Sequence, residues 1–144
     1  MRVLLSAVLV QMAFAASPER VDLCRVLDEP GKYAGKMVEV QGSVKPLMHG
    51  TYLNQAGCDR ALLLVLPEEI PNYKGSIKVL RDAEFESFEK ARFNYLPEAP
   101  TYSAIFVGQL EYAKRGKGFG YDKNQRVRLV LQAVRKGITD REAR

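Results

Sequence analysis

The chain has one histidine, no tryptophan and two cysteines. Because Ser-His-Asp and Cys-His catalytic arrangements need an imidazole, any such site would have to use His49. The nucleophile motif G-x-S-x-G is absent. A structural zinc site needs more ligands than two cysteines and one histidine supply. We therefore predict a protein that is not an enzyme and that uses no metal and no cofactor.

Long apolar runs are also scarce, and the one at the N-terminus is short. Residues 1–15 begin with a positive charge at Arg2, continue with the apolar run 3–10 and end on small residues at Ala13 and Ala15. These are the three parts of a secretory signal. The run is shorter than the roughly 20 residues that span a bilayer. We predict cleavage near Ala15 and a periplasmic or secreted protein with no membrane span. The alternative is a buried N-terminal helix.

The two cysteines, Cys24 and Cys58, lie too far apart in sequence to form a C-x-x-C redox pair. An even number of cysteines in an oxidising compartment favours a disulfide, so export and pairing support each other. Two free thiols are the alternative. We predict a structural disulfide in a single domain over residues 16–138, followed by a charged tail over 139–144.

Two helices are predicted. The triplet Ser17-Pro18-Glu19 is typical of a helix start, with an N-cap oxygen followed by proline. That helix should end at the sequence D-E-P-G, residues 28–31. A second helix is predicted over residues 82–93, capped by Asp82, with Phe85 and Phe88 facing inward.

Five strands are predicted from apolar periodicity. They cover residues 37–44, 51–54, 61–66, 102–112 and 126–134. The first and fourth each contain an internal glycine, Gly42 and Gly108, which indicates a bend or bulge. In the last strand the alternation places Val127, Leu129, Leu131 and Ala133 on one face.

This order predicts a mainly β protein. The expected architecture is an OB-like five-stranded Greek-key barrel with an N-terminal helix and a second helix between strands three and four. The motifs K-Y-A-G-K-x-V-E-V-Q-G-S-V (residues 32–44), G-x-G-F-G-Y (residues 116–121) and V-R-L-V-L (residues 127–131) resemble those of small exported bacterial OB-fold proteins with one cysteine pair. The chain also resembles, more distantly, the nucleic-acid-binding OB domains. The resemblance implies the fold and transfers no catalytic residue.

Charge is uneven along the chain. Residues 111–144 carry ten Lys and Arg residues against four Asp and Glu residues. Such a basic region favours anionic partners, although a solvated face that keeps the protein soluble would have the same composition. The glycine-rich run 116–120 lacks the following helix and the Lys-Ser/Thr pair of a phosphate-binding loop. We therefore expect a connection between two strands.

A binding cleft is predicted where OB-folds usually have one, between the loops after strands one and four and against the strand 2–3 face. The residues expected there are cationic, aromatic or polar, a mixture that binds single-stranded nucleic acid and other anions. They are Lys45, His49, Tyr52 and Asn54 from the first segment, and Lys114, Arg115, Lys117, Phe119, Tyr121 and Lys123 from the basic loop.

Other interpretations of the same residues stay open. The aromatic pair Phe119 and Tyr121 could instead cap the open end of the barrel while the lysines point to solvent. An unpaired sheet edge could bind a partner chain. We expect a monomer whose partner is an anionic ligand or a cell-envelope protein. Nucleic acid is disfavoured by the compartment, and a hydrolase that uses His49 is the least favoured interpretation.

Overall fold

The computed structural model describes residues 17–114, 116–121 and 123–137, so the predicted secretory signal and charged tail lie outside them. In chain order the elements are β1 (Glu19–Arg20), α1 (Leu23–Asp28), α2 (Pro30–Tyr33), β2 (Met37–Leu47), β3 (Gly50–Asn54), β4 (Leu62–Val65), a 3-10 turn (Pro67–Glu69), α3 (Ala83–Arg92), β5 (Ser103–Tyr112) and β6 (Val127–Lys136).

Five strands close into a barrel in the order β2-β3-β4-β6-β5 and back to β2. The β4–β6 pairing is parallel and the other pairings within the barrel are antiparallel. The two-residue strand β1 lies parallel to β2 outside the barrel. The prediction of a mainly β, OB-like barrel with a helix between its third and fourth strands is confirmed.

Closure depends on β2, which pairs with two strands in succession. It pairs with β5 over residues 37–43 and with β3 over residues 43–47. Gly42 lies beside this change of partner, and a Cβ there would be 3.0 Å from the Asn54 carbonyl oxygen. A side chain at this position would therefore push the two segments apart.

Helix α3 closes one end of the core. Its N-cap is Asp82, whose carboxylate accepts a hydrogen bond from the Phe85 amide at 3.0 Å, as predicted. Phe85 and Phe88 are both buried, and the Phe88 ring packs edge-on against Phe106 of β5 with the ring centroids 5.5 Å apart. The helix therefore contributes aromatic side chains to the core that the strands enclose.

The predicted start of the first helix is wrong. Residues around Ser17 do not begin a helix, because Glu19 and Arg20 pair with β2 and the Val21 amide donates to the Glu39 carbonyl at 2.9 Å. The backbone of residues 19–21 is extended, and its polar groups form hydrogen bonds with the edge of β2. The helix begins only after Asp22.

The predicted inward face of the last strand is correct up to Leu131 and then wrong. Opposite the junction between Val107 and Gly108 the register shifts by one residue. Beyond this bulge Val134 joins the core instead of Ala133. A bulge inserts one residue, so it reverses the alternation of side chains that follow it.

The cysteines form the predicted disulfide, with a Cα–Cα distance of 5.4 Å. The bridge ties α1 to the turn between β3 and β4. Beside it, the Leu23 amide donates to Gln55 Oε1 at 2.8 Å, and Gln55 Nε2 donates to Asp22 at 2.7 Å. Helix α1 is thus attached to this turn by a covalent bond and by hydrogen bonds.

Replacing both cysteines by serine should lower the free energy of unfolding by about 3–4 kcal/mol, because the bridge restricts the unfolded chain. Urea unfolding with and without reductant measures this. Reductant should weaken the natural chain to the same extent and leave the Cys24→Ser/Cys58→Ser variant unchanged. Equal stability of the oxidised natural chain and the double variant would contradict the expectation.

The bulge at Gly108 makes a second prediction. A Cβ at Gly108 would lie 2.3 Å from the Val130 carbonyl oxygen, whereas a Cβ at Gly31 meets nothing within 4 Å. Gly108→Ala should therefore destabilise the barrel by about 1–3 kcal/mol, as overpacking does. Gly31→Ala, in α2, is the matched control and should leave stability unchanged or raise it slightly. Thermal unfolding of both variants measures the difference, and an unchanged stability of Gly108→Ala would contradict the expectation.

A third prediction concerns pH. Burial, together with the carboxylates of Glu84 and Asp82, raises the pKa of Tyr102 to about 12. The folded state therefore disfavours the phenolate, and the resulting stability is present below pH of about 10 and lost as pH rises through the folded pKa. Ultraviolet titration should show a late phenolate step that Tyr102→Phe removes. Identical titration curves for the two proteins would contradict it.

Candidate functional site

The strand register places one row of side chains across the outer face of the barrel. Lys45 pairs with Tyr52, Tyr52 with Leu63, Leu63 with Arg128, and Arg128 with Glu111. Directly paired residues project from the same face of a sheet. Leu63 is only 3% exposed although it lies in this outward row and outside the core cluster. Another part of the chain must therefore cover it.

Part of the loop between β5 and β6 (residues 113–126) lies over Leu63, at Gly120. Phe119 and Gln125 exchange backbone hydrogen bonds of 2.5 and 3.2 Å, which narrow the loop. The Phe119 ring lies 4.0 Å from the Arg128 guanidinium, and Gly120 lies against the Leu63 side chain. The loop thus rests on the outer face of the sheet.

The turn between β2 and β3 meets the same loop. His49 in this turn stacks on Tyr121, with ring centroids 4.3 Å apart and planes inclined by 14°. The two segments that the sequence places in one site are therefore in contact. Phe119 packs against Arg128 of the outward row, and Tyr121 stacks on His49.

Because the loop crosses the middle row of the sheet, two clefts lie on either side of it. Cleft A, of 780 Å³, lies on the side of Asn54 and is lined by β3, by residues 124–126 and by the end of α1. Cleft B, of 610 Å³, lies on the side of Gly50 and is lined by the β2–β3 turn, the loop and the end of α3. The sequence predicts one cleft on this face, whereas the structure has two.

The predicted site residues are divided between these clefts. Lys45, Tyr52 and Asn54 line cleft A. His49, Phe119 and Lys123 line cleft B, with Tyr121 stacked on His49. Lys114 and Lys117 are exposed and line neither cleft, and Arg115 lies outside the described residues.

Among the residues of cleft A that sequence reasoning missed are Tyr112 and Arg126. Tyr112 and Arg126 lie at the two ends of the basic loop. The predicted ends of the flanking strands were therefore the signal in the sequence that could have indicated them. The Arg126 guanidinium lies 4.9 Å from the centroid of the Tyr112 ring and donates to the Ala113 carbonyl at 3.2 Å. These contacts hold the cation beside an aromatic face.

Cleft A has an excess of positive charge. Its Arg60 is paired with Asp28 and lies 3.8 Å from Asp59, so that charge is compensated. Within the described part of the chain neither Lys45 nor Arg126 forms an ion pair. Neither cation is therefore neutralised by a carboxylate of the described residues.

Cleft B has a different character. Arg92 in its wall is only 6% exposed and is paired with Glu69 and, at 3.4 Å, with Glu89. Its charge is thus neutralised within the fold. The rim is largely apolar, with Met48 and Phe93 among its exposed residues.

Among residues 17–114, 116–121 and 123–137, no group of three or more His, Cys, Asp or Glu residues is placed to hold a metal ion. None of the helices described is both long and apolar enough to cross a membrane.

Comparison of the chain with protein-family models finds no match. Comparison with curated proteins finds no similar chain. Function is therefore inferred from the two clefts and the charges around them.

Proposed function

We propose that the chain is an exported, non-enzymatic binding module that takes an anionic ligand in cleft A. The observation that carries this proposal is the pair of cations without an ion-pair partner among the described residues, Lys45 and Arg126, in one cleft on the outer sheet face. In OB-folds this face and its flanking loops are the usual place for oligonucleotides and oligosaccharides.

The remaining lining of cleft A suits a ligand with a ring. Tyr52 and Tyr112 offer aromatic faces on which a sugar or a base can lie. The amides of Asn54, Asn124 and Gln125 can donate to and accept from ring hydroxyl groups. The shared chemistry is a ring that bears a carboxylate, sulfate or phosphate group.

Export supports an acidic saccharide over nucleic acid. The secretory pattern of residues 1–15 and the disulfide are both expected of a chain that leaves the cytoplasm. Nucleic acid is scarce there, whereas acidic glycans are components of cell envelopes and extracellular material.

Pairing of a partner chain with a sheet edge is the alternative, and the described strands favour it less. Each strand of the barrel has a neighbour on both sides. The remaining strand, β1, is two residues long. Such a short edge provides few backbone groups for another chain.

The test uses two labelled probes, a sulfated heparin oligosaccharide and a single-stranded oligothymidylate, with binding measured by fluorescence anisotropy. The double variant Lys45→Glu/Arg126→Glu should bind the preferred probe roughly tenfold more weakly, because two attractive charges become repulsive. Raising the salt concentration should weaken binding by the natural chain.

The matched control is Lys78→Glu/Lys90→Glu, which changes the net charge equally at exposed residues that line neither cleft. Its affinity should stay within about twofold of the natural chain, since exposed charges at a distance are screened. An equal loss in both double variants would show attraction by net charge alone and would overturn a site in cleft A. Preference between the two probes identifies the source of the anionic ring.

A further inference from the structure

Large apolar side chains gather around cleft B. Met48 in the β2–β3 turn is 87% exposed, and Tyr121 in the neighbouring loop is 73% exposed. Leu47, Phe93 and Tyr95 are also exposed and line the same cleft. We call these five residues the tip surface. Folded proteins seldom leave such residues clustered in water unless something covers them.

The tip surface is bordered by cations. The loop 113–126 has five Lys and Arg residues and one acidic residue. Its lysines at 114, 117 and 123 are exposed and form no ion pair with any other described residue. Among the described residues Glu69 is the one carboxylate that lines cleft B, and it is paired with Arg92. The described side chains of the border therefore carry an excess of positive charge.

We propose that the tip surface docks on an anionic phospholipid surface. Met48 and Tyr121 project from adjacent turns, and the stack between His49 and Tyr121 holds those turns together. Such side chains lie at the boundary between headgroups and acyl chains, and tyrosine keeps its hydroxyl in the polar layer. Lysines beside them reach the lipid phosphates, which attract polybasic segments.

Lipid suits this surface better than a folded acidic protein does. The exposed side chains come from three separate segments around a depression. A fluid headgroup layer conforms to such an arrangement, whereas a protein interface needs matched shape over a larger area. The proposal rests on the tip surface and does not require that cleft A binds an anion, although Leu47 lines both clefts.

The first test exploits the absence of tryptophan from the chain. Met48→Trp introduces a single indole whose fluorescence should shift to the blue when vesicles of phosphatidylglycerol and phosphatidylcholine are added. Leu80→Trp is the matched control: Leu80 is 58% exposed and lies outside cleft B, beside β6. Its emission should not change. A shift at position 80 equal to that at position 48 would overturn the proposal.

This comparison also separates docking from the apolar N-terminal residues 1–15. If those residues alone held the chain on lipid, position 48 would not be buried in preference to position 80. Absence of any shift at position 48 with anionic vesicles at low salt would likewise overturn the proposal, and it would favour an acidic protein segment as the occupant.

The second test measures the fraction of protein that sediments with vesicles. Met48→Asp should lower affinity for anionic vesicles at least about fivefold, because a carboxylate replaces an apolar group facing lipid phosphates. Leu80→Asp adds the same charge elsewhere and should lower it less than about twofold. Equal binding of the natural chain to pure phosphatidylcholine vesicles would overturn the assignment to an anionic surface.

Discussion

The fold depends on one strand that serves two partners. Strand β2 pairs with β5 in its first part and with β3 in its second part, and no barrel would close without this change. The close approach of Gly42 to β3 permits it, and the bulge at Gly108 adjusts the register on the opposite side of β5. The same change of partner directs the second half of β2, with Lys45, toward the outer face where both clefts lie. Barrel closure and the position of the candidate site therefore depend on the same change of partner along β2.

The outer face is shaped by what covers Leu63. On an open sheet, an apolar residue in an outward row would be exposed to water. Here the β5–β6 loop lies over Leu63 and buries it. Burial of Leu63 thus gives the loop an apolar contact with the sheet, which the Phe119–Arg128 and His49–Tyr121 contacts reinforce. A glycine-rich segment that would be mobile by composition becomes a wall between two clefts.

Much of this architecture could be predicted from the sequence, because it follows from local signals. Strand periodicity, the Asp82 cap and the cysteine pair are each readable within a short window. The errors at Ser17 and Ala133 have another origin: pairing with the edge of β2 overrode a helix-start signal, and a bulge reversed an alternation. Both depend on strands distant in sequence. For the same reason the candidate residues were identified as one group although the loop divides them, since the path of the loop across Leu63 is set by the register of β3, β4 and β6.

The shared wall between the clefts has a thermodynamic consequence. Residues 118–120 of the loop line cleft B and residues 124–126 line cleft A, so a displacement of the loop alters both volumes together. Any occupant that moves the loop therefore changes the affinity of the other cleft, and linkage requires the effect to be reciprocal. A lipid surface bound to the tip surface would in this way change the affinity of cleft A. The coupling free energy would depend on how much the contact between the loop and Leu63 differs between the lipid-bound and the free protein.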